Sequence, residues 1–181
     1  KFWVDEFKSG TATGKLKIRG TIEKPDAVAD LNCKNIVYKD FSLSSLSFHS
    51  EMKTYSSYPS GFMNLKIEQG KWKSEVFDSG TLDISFSKNR VIFENCHFKS
   101  GNDYLLISGS WLSKNKYKID RLQSAYKEHY LVNSKPIYIN YQDTLVSIEP
   151  FEIHINDGIL DGVLSIGSFS EGRFKMSNFD A

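Results

Sequence analysis

Gly14-Lys15-Leu16-Lys17-Ile18-Arg19-Gly20-Thr21-Ile22-Glu23-Lys24-Pro25 decides the fold class. Leu16, Ile18, Gly20 and Ile22 alternate with Lys15, Lys17, Arg19, Thr21 and Glu23. Successive side chains of a strand point to opposite faces, so this pattern gives one dry face and one wet face. A helix would need apolar residues three and four apart, and a strand buried on both faces would be apolar throughout.

The same period runs outward from this stretch. Leu82, Ile84 and Phe86 alternate with Thr81, Asp83, Ser85 and Ser87, and Phe151, Ile153 and Ile155 alternate with Glu152, His154 and Asn156. Leu105, Ile107, Gly109 and Trp111 share a phase, as do Tyr117 with Ile119, and Ile137, Ile139 and Tyr141. The phase slips at Leu43–Leu46 and at Phe93–Phe98, where β-bulges or tight turns are expected. Turn chemistry separates the runs. Asp157-Gly158 reads as a two-residue hairpin turn. Lys24-Pro25-Asp26, Tyr58-Pro59-Ser60-Gly61, Asp78-Ser79-Gly80, Lys88-Asn89, Ser100-Gly101-Asn102-Asp103, Lys114-Asn115 and Ser134-Lys135-Pro136 read as further turns. Over Arg121–Val132, Leu122, Ala125, Tyr126 and His129 fit a helical stripe, and the same residues fit a broken strand.

The reading is therefore an all-β chain, antiparallel in character, over residues 1–181 as one β-rich segment. A dozen or more strands at ~4.8 Å spacing make a sheet on the order of 60 Å long, too many for a flat open sheet. Two architectures satisfy this: an elongated curled sheet, or trough, whose apolar face lines a groove, and a β-sandwich whose apolar faces close on each other.

Composition narrows the function. With 40% hydrophobic and 25% charged residues, the 181-residue chain has the makings of an ordered protein. The net charge of +1 is spread evenly, with no basic stripe to bind nucleic acid. No apolar run approaches the ~18 residues of a membrane span. The chain opens on the strand-like Lys1-Phe2-Trp3-Val4 without a start methionine or targeting segment, which suggests a piece of a longer protein, so that any anchor would lie outside it. Cys33 and Cys96 lack metal spacing and read as two small thiols or as a disulfide.

Catalytic and metal chemistry find no footing in the sequence. His49, His97, His129 and His154 are too scattered for a ligand set. Asp157 and Asp161 fall short of a calcium loop, and Gly167-Ser168-Phe169-Ser170-Glu171-Gly172 lacks the spacing of a nucleophile elbow. The expectation is a non-enzyme that uses no metal and no cofactor. The rival binding reading rests on Trp3, Trp72 and Trp111 as sugar-stacking platforms in a carbohydrate-binding or adhesin-type sandwich. Trp111 falls on the dry face and Trp72, between Lys71 and Lys73, on an exposed position.

One phrase recurs: a glycine, an alternating run, a second glycine, then a proline or another strand. It is clearest at Gly14–Pro25, followed by Ile36, Tyr38, Phe41 and Leu43, with echoes at Gly80–Ile84, Leu105–Gly109 and Leu160–Gly167. This phrase resembles the repeats of the TamB (translocation and assembly module) and AsmA-like proteins of bacteria with two membranes. The resemblance implies a periplasmic protein anchored in the inner membrane by an N-terminal helix. It further implies a taco-like β-sheet that carries phospholipid acyl chains toward the outer membrane, and for some members an outer-membrane assembly barrel as partner. On that reading the groove lining is Leu16, Ile18, Ile22, Leu65, Ile67, Leu82, Ile84, Phe86, Leu105, Ile107, Ile137, Ile139, Ile153, Ile155, Leu164 and Ile166.

Overall fold

The structure is a computed structural model that describes residues 7–54, 58–113, 115–168 and 170–178. Thirteen strands are found among the described residues: β1 (Phe7–Gly20), β2 (Pro25–Tyr38), β3 (Phe41–Thr54), β4 (Pro59–Trp72), β5 (Glu75–Ser87), β6 (Arg90–Ser100), β7 (Asp103–Ser113), β8 (Lys116–Tyr126), β9 (His129–Asn133), β10 (Ile137–Gln142), β11 (Leu145–Ile155), β12 (Gly158–Ile166) and β13 (Glu171–Ser177). All belong to one antiparallel sheet in which chain neighbours pair, β1 through β8 in order. β9 and β10 share one position. Each pairs with part of β8 on one side and part of β11 on the other. The sheet extends roughly 50 Å along the hydrogen-bonding direction.

Among the described residues no second sheet covers it, so the sandwich alternative does not hold. Among the described residues only Cys33, Leu43, Ile137 and Phe151 are buried hydrophobics, and no large side chain is fully enclosed. The apolar face is covered by its own curl and remains partly open.

The curl has a local cause. In β6, Asn95 pairs with Asp83 while Phe93 pairs with Ile84, which leaves Glu94 as an extra residue. In β8, Arg121 pairs with Ser108 while Ile119 pairs with Gly109, which leaves Asp120 extra. In β11 the register shifts between Ile148 and Phe151, across Glu149-Pro150. Residues 134–136 interrupt the strand position between β8 and β11 at the same level. These bulges line up across the C-terminal half of the sheet, and each bends its strand and adds twist. In the N-terminal half, Asn35 (φ 52°) and Gln69 (φ 45°) sit at one level on β2 and β4. Both lie opposite Ser44, between the pairs that Ser45 and Leu43 make to β2 and β4. A left-handed residue there flips the side-chain phase, so Ile36, Leu43, Gly70 and Phe77 join the apolar face. These are the two phase slips expected at Leu43–Leu46 and Phe93–Phe98.

Several turn readings are corrected. Asp78-Ser79-Gly80 is not a turn: it lies inside β5, and the hairpin closes earlier, at Lys73-Ser74. Gly80 is there for space, since a Cβ on it would stand 2.8 Å from Ile67 and 2.9 Å from Phe98. The β11–β12 turn is Asn156-Asp157, with Gly158 already paired to Ile155. Lys24 ends the first loop, and Pro25-Asp26 already belong to β2. Pro59-Ser60-Gly61 likewise belong to β4. Ser134-Lys135-Pro136 interrupts a strand position without reversing the chain. The Arg121–Val132 stretch is the broken strand: β8 runs to Tyr126, turns at Lys127-Glu128 and returns as β9. Lys88-Asn89 and Gly101-Asn102 are turns as read, and Asn115 closes the β7–β8 connection, Lys114 lying outside the described residues.

Candidate functional site

Residues paired across an antiparallel ladder point to the same side, so the registers assign each side chain to a face. One apolar rung runs through Leu31, Phe48, Leu65, Leu82, Cys96, Ile107 and Leu122. A second runs through Leu16, Ala29, Ser50, Met63, Ile84, Phe93, Gly109, Ile119 and Ile137. A third joins Phe86, Val91, Trp111, Tyr117, Ile139, Ile148 and Leu164. A fourth joins Leu46, Ile67, Gly80, Phe98, Leu105, Ser124, Leu131 and Ile155. None of these rungs carries Lys, Arg, Asp, Glu or His.

Fifteen of the sixteen residues read from the sequence share this face: Leu16, Ile18, Leu65, Ile67, Leu82, Ile84, Phe86, Leu105, Ile107, Ile137, Ile139, Ile153, Ile155, Leu164 and Ile166. Ile22 does not: it sits in the loop between β1 and β2, fully exposed. The alternation carries past the end of the strand by two residues, which is why the sequence includes it. The sequence reading omits Phe41, Phe77, Phe93 and Phe98. They belong to the face only because the bulges and left-handed residues shift the phase, and simple alternation places them wrongly.

Cavities lie along this face between β2 and β10. At one hairpin edge a cavity of about 790 Å³ is floored by Ile67, Phe77 and Phe98 and ringed by Tyr38, Trp72 and Tyr126. A middle one of about 280 Å³ lies among Phe93, Ile107, Gly109, Tyr117 and Ile139. At the opposite edge a cavity of about 560 Å³ is bounded by Phe86, Val91 and Trp111. Glycines let large rings lie flat on the sheet: a Cβ on Gly70 would fall 1.8 Å from the Phe77 ring. Phe77 stacks on Phe41 at 6.4 Å, and Trp111 on Tyr117 at 5.9 Å. Cys33 and Cys96 are free thiols on this face, and burial raises the pKa of Cys96. Trp3 lies outside the described residues.

The opposite face holds the charges. His49 Nδ1 meets Asp30 Oδ1 at 2.7 Å, Asn64 donates to Asp83 at 2.7 Å, and Asn95 donates to the other Asp83 oxygen at 3.3 Å. The His49 pKa is raised, chiefly by its hydrogen bond to Asp30. Lys66 pairs with Glu68 at 2.6 Å, and the hydrogen bonds from Lys66 and Ser45 lower the Glu68 pKa. Among the described residues no group of three or more His, Cys, Asp or Glu could hold a metal ion, and no helix is long and apolar enough to cross a membrane.

The sheet is thus an amphipathic wall, wet outside and, along its four central rungs, charge-free inside. Residues 5–90 match the family model described as TamB, N-terminal domain. No curated protein and no solved structure gives a significant match. The matched stretch covers β1–β5 and the opening of the β6 hairpin, including the first phase slip and the Gly14–Pro25 phrase. TamB proteins work in outer-membrane protein assembly and lipid transport and are periplasmic and inner-membrane-anchored, which is the setting this match supports. The N-terminal part of the curled sheet, residues 5–90, is thus similar to a TamB N-terminal domain, and this match supports reading the chain as a TamB-like family fragment.

Proposed function

We propose that the apolar face is a segment of a lipid conduit, holding phospholipid acyl chains in its groove between inner and outer membranes. One observation carries the reading: four adjacent rungs cross the sheet without a charged side chain, and among the described residues no other layer covers them. An acyl chain leaving water gains roughly 0.8 kcal/mol per CH₂. A surface that is apolar without interruption keeps each methylene covered as the chain moves, so passage meets no large barrier between sites. An ionisable group on that surface would create such a barrier, because it would lose its hydration under the chain. The polar headgroup stays at the open seam. At roughly 50 Å the sheet is one section of a longer path, and an outer-membrane barrel is the partner proposed for its far end.

The test is a photoreactive residue placed at Ile84 or at Asp83, followed by lipid mass spectrometry. Ile84 lies on the apolar face and Asp83 on the polar one. Phospholipid crosslinked at 84 and not at 83 supports the conduit. A folded protein that copurifies no lipid and crosslinks none at 84 counts against it.

A further inference from the structure

Three hairpin turns on one edge of the sheet are built alike. In Tyr38-Lys39, Trp72-Lys73 and Tyr126-Lys127 an aromatic residue ends the strand and the lysine takes the first turn position. The lysines have φ of 48°, 56° and 54°. Each Nζ lies over the preceding ring, at 5.7, 5.7 and 5.2 Å from its centroid. Two-residue hairpin turns of this kind favour Asn or Gly, and a left-handed backbone costs a lysine roughly 1–2 kcal/mol. Turn formation therefore does not account for lysine at three such sites. The position of two of them does. The rings surround the mouth of the 790 Å³ cavity, and Lys39 and Lys73 line it.

Asp40 and Glu75 line the same mouth. The Lys73 backbone N–H donates to the Asp40 carbonyl at 2.9 Å, which ties the two turns side by side. The remaining carboxylate, Asp103, accepts from the Lys127 backbone N–H at 2.7 Å and so serves the turn itself. Two lysines and two carboxylates thus line the mouth above an apolar floor.

We propose that it binds the headgroup of a zwitterionic phospholipid, with Lys39 and Lys73 taking the phosphate and Asp40 and Glu75 the ammonium group. This deepens the conduit reading and rests on it. A purely anionic headgroup would gain from the lysines and lose to the carboxylates, whereas a zwitterion satisfies both sets. The aromatic rings would cover the glycerol region, an amphipathic layer between the charged mouth and the apolar floor. The charged groups are solvated, so the preference is moderate.

Calorimetric titration of the whole chain tests this, using a short-chain diacyl lipid with a phosphoethanolamine headgroup, its phosphoglycerol counterpart and inorganic phosphate. The zwitterionic lipid should bind about fivefold more tightly than the anionic one. Lys73→Glu should weaken zwitterion binding, and Asp40→Asn with Glu75→Gln should shift the preference toward the anionic lipid. Equal affinity for the two lipids, unmoved by these substitutions, overturns the headgroup site. The conduit survives that result if lipid still crosslinks at position 84. Inorganic phosphate binding as tightly as the lipid also overturns it, by making the mouth a simple anion site. Failure of every lipid to bind, with no crosslink at 84, removes the conduit reading and this one together.

Discussion

Asn133 occupies the break between β9 and β10, where β8 loses its regular partner. Its Oδ1 accepts from the Leu122 N–H at 2.5 Å, and its Nδ2 donates to the carbonyls of Asp120 at 3.2 Å and Lys135 at 2.9 Å. It is 9% exposed, so water cannot readily replace these bonds. Asn133→Leu should cost about 1–3 kcal/mol for each backbone group it strands, read by denaturant unfolding. Asn133→Asp, which keeps an acceptor for Leu122, should cost less than Asn133→Leu. His49 gives a prediction of different kind. Its folded pKa lies above its ordinary value because of the hydrogen bond to Asp30. The stabilisation is therefore complete below the unfolded pKa of about 6.5 and fades as pH rises through the folded value. NMR titration should place His49 above 6.5, and Asp30→Asn should return it toward that value. An unshifted His49 would show that the pair does not form in solution.

At the scale of elements, glycine and aromatic side chains act as one unit. Phe77 lies across Gly70 on the neighbouring strand, and a methyl group at residue 70 would fall inside the ring. Gly70→Ala should destabilise by about 1–3 kcal/mol as the ring is forced aside. Phe77→Leu in the same chain should recover part of that loss, so the double variant would be less destabilised than the sum of the single ones. Strictly additive effects would show that the ring packs elsewhere. The bulges are a second device at this scale. Because a strand has period two, the extra residue at Glu94 is what keeps both Phe93 and Cys96 on the apolar face. Deleting Glu94 should turn Val91 and Phe93 to the polar side or break the β5–β6 pairing. The readout is increased binding of an apolar dye together with loss of cooperative unfolding.

Over the whole molecule, exposure falls from the edge toward the centre. Leu16 and Ile18 on β1 are 67% and 65% exposed, whereas Leu82 and Ile84 on β5 are half-buried. Amide exchange should follow this gradient, fastest along β1 and β13 and slowest in β4–β8, since local opening is easiest where fewest apolar contacts are lost. The conduit makes a further demand at this scale. Ile84→Asp or Ile139→Asp puts a charge in mid-groove and should block lipid passage in the full-length protein, whereas Asp83→Asn on the outer face should not. Unchanged flux in cells carrying a stably folded Ile84→Asp protein would argue strongly against the conduit.

The sequence by itself determined the one-sided antiparallel sheet. Alternation at Leu16–Ile18, Leu82–Phe86 and Phe151–Ile155 is set residue by residue and needs no distant partner. It also placed fifteen of the sixteen residues it singled out on one face and marked both levels where the phase slips. Other features were closed to it. The turns at Lys39-Asp40, Lys73-Ser74 and Lys127-Glu128 contain no glycine, and their left-handed lysines are held by the pairing of the flanking strands. Asp78-Ser79-Gly80 has turn composition yet lies in a strand, because Gly80 makes room for Ile67 and Phe98 from strands on either side. The choice between trough and sandwich also belonged to the tertiary structure. An apolar face closes equally well on a second sheet or on its own curl, and alternation is the same in both. What decided it is the alignment of bulges and left-handed residues across neighbouring strands, a relation between residues far apart in the chain. Those aligned bends curl one sheet and leave its apolar face open.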